Sequence, residues 1–314
     1  MRYTLFIIAF LFGCIHNFIS AQVIIDVNFA KAIRQQCPAC IDANNKLTPA
    51  ADTLQRLNAF NWDIKSLEGF NFPNLTYFSC ANNQLTELPN YNFKKLNHFD
   101  CSYNQISKLP DYNFKKLTYF NCSHNQIAKL PNYHFKNLTF FACSKNKISN
   151  LPSYNFKKLS SFNCGDNQIT KLPNYNFKNL TSFECSNNQL KKLSNYNFDK
   201  LSYFNCSYNQ ISKLPAYNFQ KLQIFYCSNN QIKELPAYNF ENLKQFSCGY
   251  NQIKQLLNYN FENLKQFSCR GNQLTQLPKL PSTLQFLTIK NNPLTCVPNF
   301  LYARIDVQLP VCKD

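Results

Sequence analysis

The sequence predicts a solenoid, a one-dimensional stack of near-identical turns, for most of its 314 residues. The main observation is a cysteine every 21 residues, because a fixed period of this length is the signature of a repeat architecture. These cysteines are Cys80, Cys101, Cys122, Cys143, Cys164, Cys185, Cys206, Cys227, Cys248 and Cys269. The composition agrees, since 30 Phe, 18 Tyr and 15 Cys with only 5 Gly and 1 Trp is a bias that repetition produces. The hydrophobic fraction of 45% supplies enough apolar material for a sizeable core, so we expect an ordered chain.

Each of these cysteines lies in the same apolar pattern, seen for example at Leu117, Phe120 and Cys122. We expect the Leu, Phe and Cys columns to point inward from a short strand and to form the core. An asparagine three residues after each cysteine, such as Asn125, falls in the turn after the strand, where its amide can satisfy backbone groups of adjacent turns. A later proline, such as Pro131, removes a backbone donor and favours extended structure. The convex side should therefore be polyproline-like or irregular rather than helical.

The pattern continues beyond the cysteines, with Ala59 in the cysteine position of a degenerate first turn and Ile289 in that of the last. We count about twelve turns, which at a parallel-strand spacing of ~4.8 Å give a curved parallel β ladder roughly 55 Å long. Phe29 and Ile33 predict a short amphipathic helix in the N-terminal cap. The expected organisation is a signal peptide at 1–21, an N-terminal cap at 22–53, the solenoid at 54–294 and a C-terminal cap at 295–314.

The turns resemble bacterial leucine-rich repeats of the short, 20–21-residue class, whose pattern is LxxLxLxxN/CxL. The segment Leu277-Pro-Lys-Leu-Pro281 is similar to that of secreted bacterial effector proteins. The opening Val23-Ile-Ile-Asp-Val-Asn-Phe29 and the LxCSxNQL repeats resemble secreted proteins of Bacteroidetes-type bacteria. The resemblance covers about residues 23–312 and implies a leucine-rich-repeat solenoid, as in internalin-like proteins. It does not identify a ligand, because members of this family bind very different partners.

The first residues have the pattern of a secretory signal peptide. Arg2 is followed by the apolar run 3–13 and by small residues at Ser20 and Ala21. A second interpretation treats 11–14 as a lipobox in which Cys14 is lipidated, although the apolar residues after Cys14 differ from the usual polar tether. We expect a protein that is secreted or held at the cell surface, without a membrane span.

The cysteines of the exported chain fall into three groups. Neighbouring cysteines of the ladder would have parallel Cβ vectors ~4.8 Å apart, farther than a disulfide allows, so we expect buried free thiols. Cys296 and Cys312 are predicted to form a disulfide that fixes the C-terminal cap. Cys37 and Cys40 form a CxxC motif without a thioredoxin-like context; a local pair that staples the cap is one interpretation, and redox activity is another.

Comparison of the turns with one another shows which positions vary, and three variable columns of strand positions should face the concave side. They lie three residues before each cysteine, one before it and two after it. Aromatic and polar side chains gather there, as expected of an interaction surface, although Tyr and Phe are abundant throughout the chain. The candidate ligand-binding residues are Tyr77, His98, Asp100, Tyr103, Tyr119, Asn121, His124, Phe140, Tyr203, Tyr208 and Tyr226. Tyr250 also belongs to the third column; a metal held by His98, Asp100 and His124 lacks a characteristic spacing, and we predict no metal site.

The net charge of +17 is concentrated between residues 94 and 221, where 18 lysines stand against 5 acidic residues, a difference of +13. One position of the repeat carries lysine in five successive turns and predicts a basic edge. These residues are Lys94, Lys115, Lys136, Lys157 and Lys178. The edge could attract an acidic polysaccharide, lipopolysaccharide or an anionic protein, or it could simply keep a Phe-rich solenoid soluble.

The sequence contains no recognisable arrangement of nucleophile, base and orienting acid, and no phosphate-binding loop. We therefore expect a non-enzymatic protein without a cofactor. The leading hypothesis is a binding module that mediates protein–protein interaction or adhesion through the concave aromatic face. The alternative is binding of acidic glycan or lipopolysaccharide through the basic edge. Nucleic acid is not expected as a partner of an exported protein.

Overall fold

A computed structural model describes residues 22–298 and 303–312, and its main feature is a single parallel sheet of 13 strands that follow one another in chain order. Each strand is short, because only three residues of a turn, or two in the last strand, pair with the neighbouring turns. The strands are β1 (Arg56–Asn58), β2 (Tyr77–Ser79), β3 (His98–Asp100), β4 (Tyr119–Asn121), β5 (Phe140–Ala142), β6 (Ser161–Asn163), β7 (Ser182–Glu184), β8 (Tyr203–Asn205), β9 (Ile224–Tyr226), β10 (Gln245–Ser247), β11 (Gln266–Ser268), β12 (Phe286–Thr288) and β13 (Arg304–Ile305).

The register places equivalent residues of successive turns side by side. Phe99 pairs with Phe120, and Phe120 pairs with Phe141. Their rings stack 5.7 and 5.6 Å apart between centroids, with interplanar angles of 8° and 6°. A second column of phenylalanines, such as Phe114 and Phe135, packs from the convex side. The apolar columns of the sequence thus form one continuous core along the whole solenoid, and the predicted fold class is confirmed.

The convex side of the solenoid contains no helix within the described residues, as predicted. A tyrosine column that the sequence analysis did not assign crosses it. Tyr112 is buried, and its hydroxyl donates to the carbonyl oxygen of Pro89, one turn earlier, at 2.8 Å. Bonds to the turn before recur from Tyr133 to Tyr259, at distances from 2.7 to 3.2 Å. Prolines remove donors from this side, and the tyrosines satisfy carbonyl groups that remain there.

The asparagine column joins each turn to the turn before it. Nδ2 of Asn125 donates to the carbonyl oxygens of Cys101, Cys122 and Ser123, at 3.0, 3.2 and 3.3 Å. Its Oδ1 accepts from the backbone N–H of Ile106 at 2.9 Å. This is the structural role expected from the sequence, because the amide satisfies buried backbone groups that no strand can reach.

The cysteine ladder consists of ten free thiols, all buried. Desolvation raises their pKa values well above that of an exposed thiol; for Cys101, the adjacent Cys122, Cys80 and Asp100 raise it further. The ladder cysteines are therefore small core residues that stay protonated, as the sequence analysis expected.

The N-terminal cap begins with helix α1 (Val27–Gln36), followed by two 3₁₀ helices at Pro38–Cys40 and Pro49–Thr53. Asp26 caps α1, since Oδ1 accepts from the N–H groups of Asn28 and Phe29. Its Oδ2 accepts from Lys65 and Ser66 in the first turn, at 2.7 and 3.1 Å. One carboxylate therefore holds the helix against the solenoid. Cys37 and Cys40 form a disulfide within the cap.

The C-terminal cap adds β13, a strand that the count of twelve turns did not include. Asp306 follows it, and its Oδ1 accepts from the N–H of Ile289 at 2.7 Å, where the equivalent N–H of the turn before, that of Cys269, donates to the backbone carbonyl of Thr288. Cys296 and Cys312, the pair named in the sequence analysis, are joined by a disulfide. The proposed signal peptide at 1–21, with Cys14, lies outside the described residues, as do 299–302 and 313–314.

Candidate functional site

The concave face is formed by the first and last residues of each strand, while the middle residue is buried. In β3, His98 and Asp100 are partly exposed and Phe99 is buried. The expectation of three concave strand positions needs a correction, because the strands end one residue before the cysteine. The third column lies in the following turn, where Tyr103 has φ 52° and His124 φ 54°. This left-handed conformation favours Gly and Asn.

Five side chains from successive turns form a continuous stack on the N-terminal half of the concave face. The rings of Tyr77 and His98 lie 4.3 Å apart, those of His98 and Tyr119 4.0 Å, and those of Tyr119 and Phe140 4.4 Å, with angles of 12°, 8° and 5°. The guanidinium of Arg56 lies 3.5 Å from the ring centroid of Tyr77 and closes that end. We call these residues, Arg56 to Phe140, the concave stack. Four of them are predicted site residues, and the structure brings them together.

The chemistry of the concave stack depends on a neutral imidazole at its centre. Desolvation lowers the pKa of His98; Asp100 raises it and Arg56 lowers it further. Desolvation also raises the pKa of Tyr119. Both rings therefore remain uncharged near neutral pH, and the concave stack presents an apolar edge next to the carboxylate of Asp100.

Asp100 and Asn121 have a structural role in addition to the one proposed from sequence. Oδ1 of Asp100 accepts from the N–H and Oγ of Ser102, at 3.0 and 2.6 Å. Oδ1 of Asn121 accepts from the N–H of Ser123 at 3.1 Å. Both side chains thus close the turn after the strand, and Asp100 keeps Oδ2 beside Asn121 at 3.5 Å.

Tyr103 and His124 form a second, smaller stack in the third column. Their ring centroids are 3.8 Å apart and their planes differ by 16°. Tyr103 is 53% exposed. A non-glycine residue with left-handed φ costs about 1 kcal/mol, and half of the twelve turns have asparagine or glycine at this position. The fold therefore does not require an exposed tyrosine there.

The remaining predicted residues lie farther along the solenoid and form a separate polar cluster. The hydroxyl of Tyr203 donates to Oε2 of Glu184 at 2.8 Å. The rings of Tyr203 and Tyr226 meet edge to face, with centroids 6.3 Å apart, and the hydroxyl of Tyr226 donates to Gln245. Tyr208 is exposed at the adjoining turn. Among the described residues no ring contact joins this cluster to the concave stack, and Ser161 and Ser182 separate the two in the first column.

The basic edge is solvent-exposed in all five turns. Lys94, Lys115, Lys136, Lys157 and Lys178 are each exposed. They precede the strands and therefore flank the concave face rather than line it. A neighbouring lysine column is partly engaged in contacts, as when Nζ of Lys158 donates to Oδ1 of Asn137 at 2.9 Å.

Three arginines of the concave face were not predicted. Arg56 belongs to the degenerate first turn, Arg304 begins β13, and Arg270 lies at a position where six of the ten cysteine turns have serine. Extension of the first column to both ends of the sheet would have found Arg56 and Arg304. Arg270 directly follows Cys269, a position that none of the three columns includes.

The side chains and helices of residues 22–298 and 303–312 show neither a metal centre nor a membrane-spanning segment. Within those ranges no group of three or more His, Cys, Asp or Glu side chains is arranged to hold a metal ion. The helices found there are too short or too polar to cross a bilayer.

Comparisons with known proteins agree with this architecture. Residues 94–134 and 220–260 match the family model described as Leucine Rich repeats (2 copies). No curated protein matches the chain in sequence.

Several solved structures share the fold. The functional domain of InlJ from Listeria monocytogenes, described as including a cysteine ladder, is 22% identical with a TM-score of 0.62, over 86% of this chain and 70% of that one. YopM from Yersinia pestis, described as a leucine-rich effector protein, is 23% identical with a TM-score of 0.53, over 78% of this chain and 79% of that one. The chain therefore has a leucine-rich-repeat solenoid fold, which it shares with these bacterial proteins.

Proposed function

We propose that this protein is a secreted or surface-exposed binding module, without catalytic activity, that engages another protein through the concave stack. The observation that carries the proposal is the continuous contact from Arg56 to Phe140 across five turns. Aromatic residues and arginine dominate the binding energy of protein interfaces. Side chains that are already ordered lose little conformational entropy when a partner arrives.

The position of the concave stack also supports this role. It lies on the exposed side of the sheet, whereas the core is filled by separate phenylalanine columns. Half of the tyrosines, nine of 18, belong to the convex column from Tyr91 to Tyr259, so abundance alone does not account for the concave rings. YopM, which shares the fold, is described as an effector protein, and this description is consistent with an exported protein.

An array of cell-surface proteins and glycans, probed with the full chain, tests the proposal. A protein ligand found there should bind at least about tenfold more weakly to the variant with Tyr119→Ala and Phe140→Ala. Ser182→Ala is the matched control, because Ser182 lies in the same column beyond the stack. Equal binding of the double variant and the wild type would contradict the proposal.

The exposed basic edge supports a second candidate, the capture of acidic glycan or lipopolysaccharide. Lysine contacts in water are screened by salt, because the Debye length falls from about 10 Å at 0.1 M to about 3 Å at 1 M. Binding by the edge should therefore weaken steeply with ionic strength and with Lys115→Gln and Lys136→Gln. Binding by the concave stack should persist under both changes.

A further inference from the structure

A polar depression of about 420 Å³ lies on the concave side toward the C-terminal end, separate from the concave stack. Serine and asparagine side chains line it, with Tyr208, Tyr250 and Arg270. Tyr208 and Tyr250 are 57% and 48% exposed, which is unusual in a chain whose convex tyrosines are buried.

The two tyrosines occupy the same position of the repeat, two turns apart, with Asn229 between them. All three residues have left-handed backbone, with φ of 54°, 51° and 55° for Tyr208, Tyr250 and Asn229. Rings in adjacent turns of this column face one another along the solenoid axis, as the pair Tyr103 and His124 shows. Tyr208 and Tyr250 are thus placed to face each other across the smaller Asn229.

One face of the Tyr250 ring packs against the next turn. Gly271 has φ 68°, and a Cβ atom there would lie 2.8 Å from Cδ1 of Tyr250. The glycine therefore allows the ring to lie against the backbone of that turn. The guanidinium of Arg270 is 5.7 Å from the same ring centroid. The opposite face of the Tyr250 ring is left toward Asn229.

The separation of the tyrosines leaves room for one ring. Neighbouring rings on the concave side lie 3.8 to 4.4 Å apart between centroids, so two turns separate equivalent rings by roughly 8 Å. Carbon atoms in contact are about 3.5 to 4.0 Å apart, so one ring fits between the two phenol rings. The polar groups around the space favour a pyranose ring, whose hydroxyls can bond to them, over a flat apolar side chain.

The polar groups of the depression fit the same ligand. The hydroxyls of Ser228 and Ser247 lie 2.7 Å apart, and either can donate, so they can both give and accept hydrogen bonds to sugar hydroxyls. Asn229 adds an amide beside them. Nε of Arg270 is buried and has no partner within the part of the chain that the structure describes. A guanidinium is the side chain best suited to bind a carboxylate through paired hydrogen bonds.

We propose that this depression is a saccharide site that takes one acidic pyranose residue, of the uronic acid type, between Tyr208 and Tyr250. The sugar ring contacts the two phenol rings, its hydroxyls bond to the serines and Asn229, and its carboxylate pairs with Arg270. The site uses none of the residues of the concave stack or of the basic edge, and it does not depend on the proposed protein partner.

The experiment titrates the full chain with methyl β-D-glucuronide, methyl β-D-glucoside and N-acetyltryptophanamide, with binding followed by NMR. We expect saturable binding of the glucuronide, weaker binding of the glucoside and the weakest binding of the flat indole. Tyr208→Ala and Tyr250→Ala should each weaken glucuronide binding at least about tenfold. Arg270→Gln should remove the preference for the glucuronide over the glucoside.

Asn229→Tyr fills the space between the tyrosines and should abolish binding of both glycosides. It should not unfold the protein, because the column already accepts tyrosine at positions 103, 208 and 250, and circular dichroism checks this. Tyr103→Ala, in the same column but outside the depression, should bind as the wild type does. Absence of saturable glycoside binding, tighter binding of the indole, or unchanged binding by a folded Asn229→Tyr variant would each overturn the proposal.

Discussion

The hydroxyl of Tyr133 donates a 2.7 Å hydrogen bond to the carbonyl oxygen of Pro110, one turn earlier on the convex side. Because the tyrosine is buried, water cannot readily replace its hydroxyl as the hydrogen-bond donor to this carbonyl. Burial raises the pKa of Tyr133, which keeps the phenol protonated and able to donate over the whole working range of pH. Equivalent bonds of the convex tyrosine column link each turn to the turn before it.

Tyr133→Phe should lower the free energy of unfolding by about 1 kcal/mol, because it removes this bond and leaves a buried acceptor unsatisfied. Tyr103→Phe, on the exposed concave side, is the control and should change stability by less than about 0.5 kcal/mol. Urea denaturation followed by circular dichroism measures both. Equal effects of the two substitutions would show that the hydrogen bonds of the convex tyrosine column do not contribute to the free energy of unfolding.

The asparagine column predicts a difference between two substitutions at one position. Nδ2 of Asn146 donates to three carbonyl oxygens at 3.0 to 3.2 Å, and Oδ1 accepts from Ile127. Asn146→Ala removes these bonds and should cost about 2 kcal/mol or more. Asn146→Asp also places a carboxylate oxygen against the carbonyls, and we expect it to be the more destabilising variant at pH 7. The opposite order in thermal unfolding would show that the column does not act through donation by Nδ2.

The cysteine ladder should resist modification in the native state. The thiolate is the reactive form, and burial raises the pKa of Cys143 well above its ordinary value, with Cys164 adding to the effect. At pH 8, iodoacetamide should leave the ten ladder cysteines unmodified in the folded protein and alkylate them all in 6 M guanidinium chloride. Mass spectrometry of peptides identifies each site. Rapid labelling of ladder residues without denaturant would contradict the buried free-thiol interpretation.

The concave stack should respond to acid through His98. Desolvation lowers its pKa in the folded protein below the ordinary value of 6.5, so the unfolded chain takes up the proton first. The contribution of the neutral ring to stability is then present above about pH 6.5 and is lost as pH falls through the folded-state pKa. His98→Phe keeps an aromatic ring without a titrating group, and its unfolding midpoint should vary less between pH 7 and pH 5 than that of the wild type. Identical pH profiles of the two proteins would exclude His98 as the cause of the pH dependence of stability.

The fold could be predicted from the sequence because the core residues recur every 21 residues. A residue such as Phe120 or Asn125 is repeated at every turn, and only an in-register parallel stack brings its equivalents together. The buried role of Tyr133 was not foreseen, because the hydroxyl makes tyrosine look suitable for the surface and the proline carbonyl that it meets is not visible in the sequence. Periodicity also placed Tyr77, His98, Tyr119 and Phe140 in one column, but not their face-to-face contact.

Other features depended on local geometry that a repeat pattern does not contain. The third column appeared to continue the strand, yet pairing stops at Asn121 and His124 lies in a left-handed turn. The thirteenth strand escaped the count because it lacks the repeat pattern and has Asp306 where other turns offer a backbone carbonyl. In both places the backbone departs from the repeat, and a sequence period alone does not show such a departure.

The asparagine ladder makes the turns interchangeable units. Each turn of the asparagine ladder presents similar donors and acceptors to the turn before and the turn after, and the two caps bond to the end turns through Asp26 and Asp306. A gene that gains or loses 63 nucleotides, the coding length of one 21-residue turn, would therefore still encode a chain whose internal bonds all close. The length of the concave surface, and the order of the side chains along it, can change by duplication or deletion of whole turns while the stability per turn stays the same.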